Sequence, residues 1–129
     1  MEAAVAYLDA PVLYTADCHC CEEYAAYVEE ETGVIVDIAE VEDLSEIKAN
    51  HGVPEEMAAC HTMDIGDYFV EGHVPLEAIG KLADERPAIA GISLPGMPQG
   101  SPGMTGTKDE EWTIFAVLDD GSYDEFMLI

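Results

Sequence analysis

Pro11-Val12-Leu13-Tyr14-Thr15-Ala16-Asp17-Cys18-His19-Cys20-Cys21-Glu22-Glu23-Tyr24-Ala25-Ala26-Tyr27-Val28, running on to Gly33, is the stretch on which the fold turns. Its first five residues are apolar or β-branched and read as a buried strand. Cys21, Tyr24, Ala25 and Val28 then recur at helical spacing, and Gly33 sits where a helix-ending glycine belongs. Between strand and helix, Asp17 to Cys21 forms a loop that enters the helix. Three of the four cysteines in the chain fall in this loop.

Downstream, Val34-Ile35-Val36-Asp37-Ile38 is a β-branched run that predicts a second strand. Leu44, Ile47 and His51 mark a short helix stopped by Gly52, and Pro54 to Ala59 reads as another turn. His61 to Glu71 has the pattern of a hairpin turning at Gly66-Asp67. Pro75 then opens a helix through Leu76, Ile79 and Leu82 to about Arg86. The order is βαβα, a hairpin, then α. That predicts an α/β fold of thioredoxin-like type: a βαβ half followed by two antiparallel strands and a closing helix.

The C-terminal third is additional to that order. Leu94 to Thr107 is rich in Gly, Pro and Ser and carries Met97 and Met104. Trp112 to Leu118 and Ser122 to Leu128 bracket Asp119-Asp120-Gly121, a hairpin signal. With no internal repeat and no interdomain linker, residues 1–129 are expected to form one domain. Residues 10–93 would be its core, and residues 94–129 a loop and hairpin extension.

Composition bounds the partners. The 129 residues are 49% hydrophobic, which suits a globular fold, yet 28 acidic residues face four basic ones, a formal net charge of -24. Such a surface repels nucleic acid and anionic lipid. The acids are spread along the whole chain, as expected of a halophilic protein in screening salt. No stretch has the apolar length of a membrane span, so membrane insertion is not expected. The first residues lack a basic and apolar leader pattern. The chain is therefore expected to be cytoplasmic, or a mature domain with its leader removed.

Four cysteines are too few for a disulfide scaffold, so their spacing carries the information. Cys18-x-x-Cys21 has the spacing of dithiol redox motifs, with Cys20 added inside it. A helix N-terminus favours thiolate over thiol, but three adjacent thiolates repel one another. A soft cation removes that repulsion by bridging the sulfurs, and Cu(I) suits such a site. Zinc is a weaker fit, because structural zinc sites draw on two ligand pairs at regular spacing. In thioredoxin order, the strand after the second helix starts beside the first helix, at the slot that holds a cis-proline. Here it starts Ala59-Cys60-His61-Thr62, without proline, which would bring Cys60 to the other three. Two readings stay open: a copper-binding protein, and a thiol-disulfide oxidoreductase using Cys18 and Cys21. A zinc-stabilised interaction module is a third.

Cys18-His19-Cys20-Cys21, Val53-Pro54, Ala59-Cys60-His61-Thr62, Glu71-Gly72-His73-Val74-Pro75, Glu85-Arg86-Pro87 and Pro95-Gly96-Met97-Pro98-Gln99-Gly100-Ser101-Pro102-Gly103-Met104 occur in that order. Together they resemble the CopG-like copper-resistance proteins, a family long catalogued as a domain of unknown function. The resemblance runs from about Pro11 onward. It implies a thioredoxin-like fold, copper held by Cys18, Cys20, Cys21 and Cys60, and a place in copper resistance rather than in conventional enzyme catalysis. It also implies an extracytoplasmic location, in the periplasm or at the cell surface. Other copper-handling proteins would be its partners. The family usually has glycine where this chain has His19, which implies either that His19 is an added ligand or that the loop bends differently.

Further candidates carry competing readings. Strand alternation turns His61 to the face opposite Cys60, so a core or surface role competes with ligation. Met97 and Met104 are thioethers in a loop that could close over a Cu(I) site, or they plug the loop onto the core. His73 and His51 read as structural, Met57 and Met63 as core, and Tyr24, Tyr27 and Trp112 as packing residues. Four closely placed sulfurs make a small multinuclear Cu(I) cluster an economical arrangement.

Overall fold

The computed structural model describes residues 12–15, 19–54, 57, 61–65, 68–95 and 112–128, the side chains of residues 19–21 excepted. These form seven strands and three helices: β1 (Val12–Thr15), α1 (His19–Thr32), β2 (Asp37–Glu40), α2 (Leu44–His51), β3 (His61–Asp64), β4 (Phe69–Glu71), α3 (Leu76–Glu85), β5 (Gly91–Ser93), β6 (Thr113–Val117) and β7 (Tyr123–Leu128). One sheet contains all the strands in the order β2-β1-β3-β4-β5-β6-β7. β1 pairs with β2 in parallel and with β3 antiparallel, and β3 pairs antiparallel with β4. β5 returns parallel to β4 after α3, and β6 and β7 extend the sheet antiparallel.

Two elements differ from the sequence expectation. The β-branched run expected as a strand over Val34–Ile38 enters the sheet only at Asp37, which pairs with Val12. Side chains of α1 claim the earlier backbone: the Val34 N–H donates to Thr32 Oγ1 at 3.1 Å and the Val36 N–H to Glu29 Oε1 at 3.1 Å. Those bonds hold the segment as a loop after α1. β5 is the second difference, because Gly91-Ile92-Ser93 is too short to show a period, yet it links the expected core to the C-terminal hairpin.

Helix ends follow their capping chemistry. Asp43 accepts from the backbone N–H groups of Ser45 and Glu46 at the start of α2, and Gly52 ends it at φ 81°, a left-handed conformation glycine adopts without a Cβ clash. Pro75 caps α3 from an extended conformation. The hairpin between β6 and β7 turns through Gly121, with the Ser122 N–H donating to Asp120 Oδ1 at 2.9 Å.

The main core lies on one face of the sheet. Leu13, Met63, Val70, Ile92 and Ile114 from the strands pack with Tyr24 and Val28 of α1 and with Leu76, Ile79 and Leu82 of α3. A smaller cluster of Met57, Phe69 and Val117 is separate from it. Met57, Met63, Tyr24 and Trp112 are buried as expected, while the half-buried Tyr27 accepts the Leu76 N–H through its hydroxyl at 3.0 Å.

Candidate metal centre

Thr15, the last residue of β1, pairs with His61, the first residue of β3. α1 begins at His19, four positions after Thr15. The end of β1, the start of α1 and the start of β3 are thereby brought to one end of the sheet. His19, Cys20 and Cys21 belong to the first turn of α1. Cys18, Cys60, Met97 and Met104 lie outside the described residues.

One turn after the two helical cysteines, α1 sets Tyr24 into a fully buried group with His61 and His73. Ring centroids are 5.0 Å apart for Tyr24 and His61, 5.4 Å for Tyr24 and His73, and 4.9 Å for the two imidazoles. The Tyr24 hydroxyl donates to the Val74 carbonyl at 2.6 Å. His61 Nε2 lies 3.0 Å from the Gly72 carbonyl oxygen. A carbonyl can only accept, so Nε2 carries the hydrogen, and in the neutral ring Nδ1 holds the lone pair. The Gly72 N–H returns a bond to the His61 carbonyl at 3.1 Å, closing the start of the β3–β4 ladder.

His61 thus occupies a core position on the face covered by α1. Cys60 lies outside the described residues, so the expected alternation between it and His61 falls there too. His73 is likewise a core histidine, as its sequence context suggested.

Burial pushes the Tyr24 hydroxyl pKa well above the usual tyrosine value, with the charge of Tyr27 adding to the effect. A raised folded-state pKa means that the unfolded chain loses this proton first as pH rises. Stability contributed this way is intact below about pH 10 and is lost above it. Tyr24→Phe is therefore expected to flatten the fall in melting temperature on the alkaline side, while costing about 1 kcal/mol at neutral pH through the unpaired Val74 carbonyl. An alkaline profile as steep in the variant as in the wild type would refute this.

Thr15 completes this end of the sheet. It is 2% exposed, and its Oγ1 has no hydrogen-bond partner among the described residues.

The opposite face carries a polar network that the sequence did not announce. Glu71 is fully buried, pairs with Thr62 across the β3–β4 ladder and accepts from its hydroxyl at 2.5 Å. The Lys48 ammonium of α2 reaches over the sheet to the Glu71 carboxylate and lies 3.2 Å from Thr62 Oγ1. His51 Nε2 lies 3.1 Å from Asp64 Oδ2, and its Nδ1 lies 2.8 Å from the Ile47 carbonyl oxygen. A signal for Lys48 did exist: it is one of only four basic residues and shares the helical spacing of Leu44 and His51.

Among the described residues, no three His, Cys, Asp or Glu side chains converge as a metal site. No helix of the described residues is long and apolar enough to cross a membrane. Cys18, Cys20, Cys21 and Cys60, close in sequence to the start of α1 and of β3, are soft donors by residue type. On the α1-facing side the described groups at that end are Tyr24, His61, His73 and Thr15, while the buried Glu71 carboxylate lies on the other face with Thr62 and Lys48.

Residues 57–104 match the family described as "Protein of unknown function, DUF411". No curated protein matches the chain. Two solved structures of the copper resistance protein CopG match nearly throughout. Form 2 is 34% identical with a TM-score of 0.84, covering 93% of this chain and 97% of its own. Form 1 is 32% identical with a TM-score of 0.78, covering 93% of this chain and 96% of its own. With identity above 30% over almost the full length of both, this chain belongs to the CopG-like family of copper-resistance proteins.

Proposed function

We propose that this chain binds copper, held as Cu(I) by Cys18, Cys20, Cys21 and Cys60, and serves copper sequestration, resistance or redox handling. The observation that carries this reading is the pairing of Thr15 with His61. Cys60 precedes His61 directly, Cys18 follows Thr15 by three residues, and Cys20 and Cys21 open α1. The likeness to two structures of a copper resistance protein supports copper as the cargo. Amide N–H groups and the dipole at the start of α1 would offset the negative charge of clustered thiolates. Four sulfurs favour a multinuclear cluster, with His19, His61, Met97 and Met104 as further ligands.

The sheet segment β2-β1-β3-β4, parallel at its first pair and antiparallel at the next two, supports a thioredoxin-like core within a single domain over residues 1–129. We place the protein outside the cytoplasm, exchanging copper with other copper-handling proteins.

The test is metal content. After anaerobic loading under reducing conditions, at least one copper per chain is expected by mass spectrometry. Cys20→Ser and Cys60→Ser should each lower that ratio. Less than one copper per chain, with no loss in either variant, would overturn the copper reading. The Cys18-x-x-Cys21 spacing at the start of α1 favours one alternative, a thiol-disulfide oxidoreductase, and insulin reduction that survives Cys60→Ser would support it instead.

A further inference from the structure

α2 is eight residues long, too short to persist as an isolated helix in water, so its attachment to the sheet decides whether it forms. Apolar burial supplies little of that attachment. No residue of α2 is buried, and Leu44 and Ile47 join neither apolar cluster. α3 is the contrast, with Leu76, Ala78, Ile79 and Leu82 all buried. What α2 turns to the sheet instead is polar: Lys48 meets the buried Glu71 of β4, and His51, three residues on, meets Asp64 of β3.

His51 sits between two oxygens that can only accept. Its Nδ1 lies 2.8 Å from the Ile47 carbonyl oxygen of its own helix, and its Nε2 lies 3.1 Å from Asp64 Oδ2. A neutral imidazole has one N–H, so it serves one of these oxygens and sets a lone pair against the other. Imidazolium donates to both, and its bond to a carboxylate is charge-assisted. The other groups around it are Tyr14 of β1, with ring centroids 5.8 Å apart, and Lys48 of α2, whose ammonium is held by Glu71 and Thr62. As the last residue of α2, a positive His51 also meets the negative end of the helix dipole.

We infer that His51 latches α2 to the sheet as an imidazolium, and that α2 comes loose as the pH rises through the range in which histidine loses its proton. Docking and protonation support each other, so the hold is full on the acid side and is lost toward alkaline pH. His51 and Asp64 are 22% and 35% exposed, so the proton can exchange with solvent while the sheet stays intact. Neither is a candidate metal ligand, and the latch is independent of the copper reading.

Hydrogen exchange tests this, with protection factors corrected for the intrinsic rate at each pH. Between about pH 5.5 and about pH 8.5, the wild-type α2 amides should lose roughly three- to tenfold in protection relative to those of α3, the worth of one partly exposed charged contact. In His51→Gln, which cannot titrate, that ratio should stay level. Asp64→Asn gives the neutral ring a donor to face, so the fall should shrink there as well. Equal wild-type protection of α2 at both pH values would overturn the assignment. So would a fall shared equally by α3, or one that persists undiminished in both variants.

Discussion

Replacing Lys48 by methionine is expected to destabilise the protein by about 3–5 kcal/mol, the cost typical of removing one partner from a buried ion pair. Glu71 is fully buried on the sheet and Lys48 is almost so, with its ammonium on the Glu71 carboxylate and near the Thr62 hydroxyl. Methionine keeps the length and apolar stem of lysine but leaves the carboxylate without its cation. The network also ties α2 to β3 and β4, and Thr62 lies only two residues from Cys60 in the chain. The loss is read from urea unfolding. Lys48→Met combined with Glu71→Leu should recover most of it, since an apolar pair of similar volume often replaces a buried ion pair without loss. A single-variant loss below about 1 kcal/mol would show that the lysine is dispensable to the buried carboxylate.

Gly91→Ala is the second large effect expected. β5 runs parallel to β4 with Gly91 opposite Phe69, and a Cβ at position 91 would overlap both the Phe69 carbonyl oxygen and its ring. Phe69 is 1% exposed and packed with Met57 and Val117, so it has little room to withdraw. Overpacking against backbone costs about 2–3 kcal/mol, which should lower the melting temperature by roughly 10 °C. Gly80, inside α3, is the matched control. A Cβ there meets nothing within 4 Å, and Gly80→Ala should stabilise by up to about 1 kcal/mol through helix propensity. Equal melting temperatures for wild type and Gly91→Ala would show that β4 and β5 separate readily.

Most elements were legible because their signals are local. Asp43 and Gly52 bound α2, Pro75 opens α3, and Asp119-Asp120-Gly121 turns the last hairpin. Elsewhere tertiary partners override local preference. Val34-Ile35-Val36 has strand propensity, but Thr32 and Glu29 of α1 take two of its backbone donors. Gly91-Ile92-Ser93 has almost no propensity of its own and becomes a strand because β4 and β6 flank it.

At the candidate site, the sequence alone determined that thiols cluster at a strand-to-helix turn and that the surface is strongly acidic, since both are matters of covalent order and composition. It also carried the motifs by which the family is recognised. Only the tertiary structure decided that β3 starts opposite the end of β1, that His61 and His73 pack on Tyr24 beneath α1, and that Thr15 keeps a buried hydroxyl beside them. Those outcomes depend on strand register. Register is chosen by which side chains the whole sheet can bury together, so residues dozens of positions apart settle it jointly and no short window of sequence contains it.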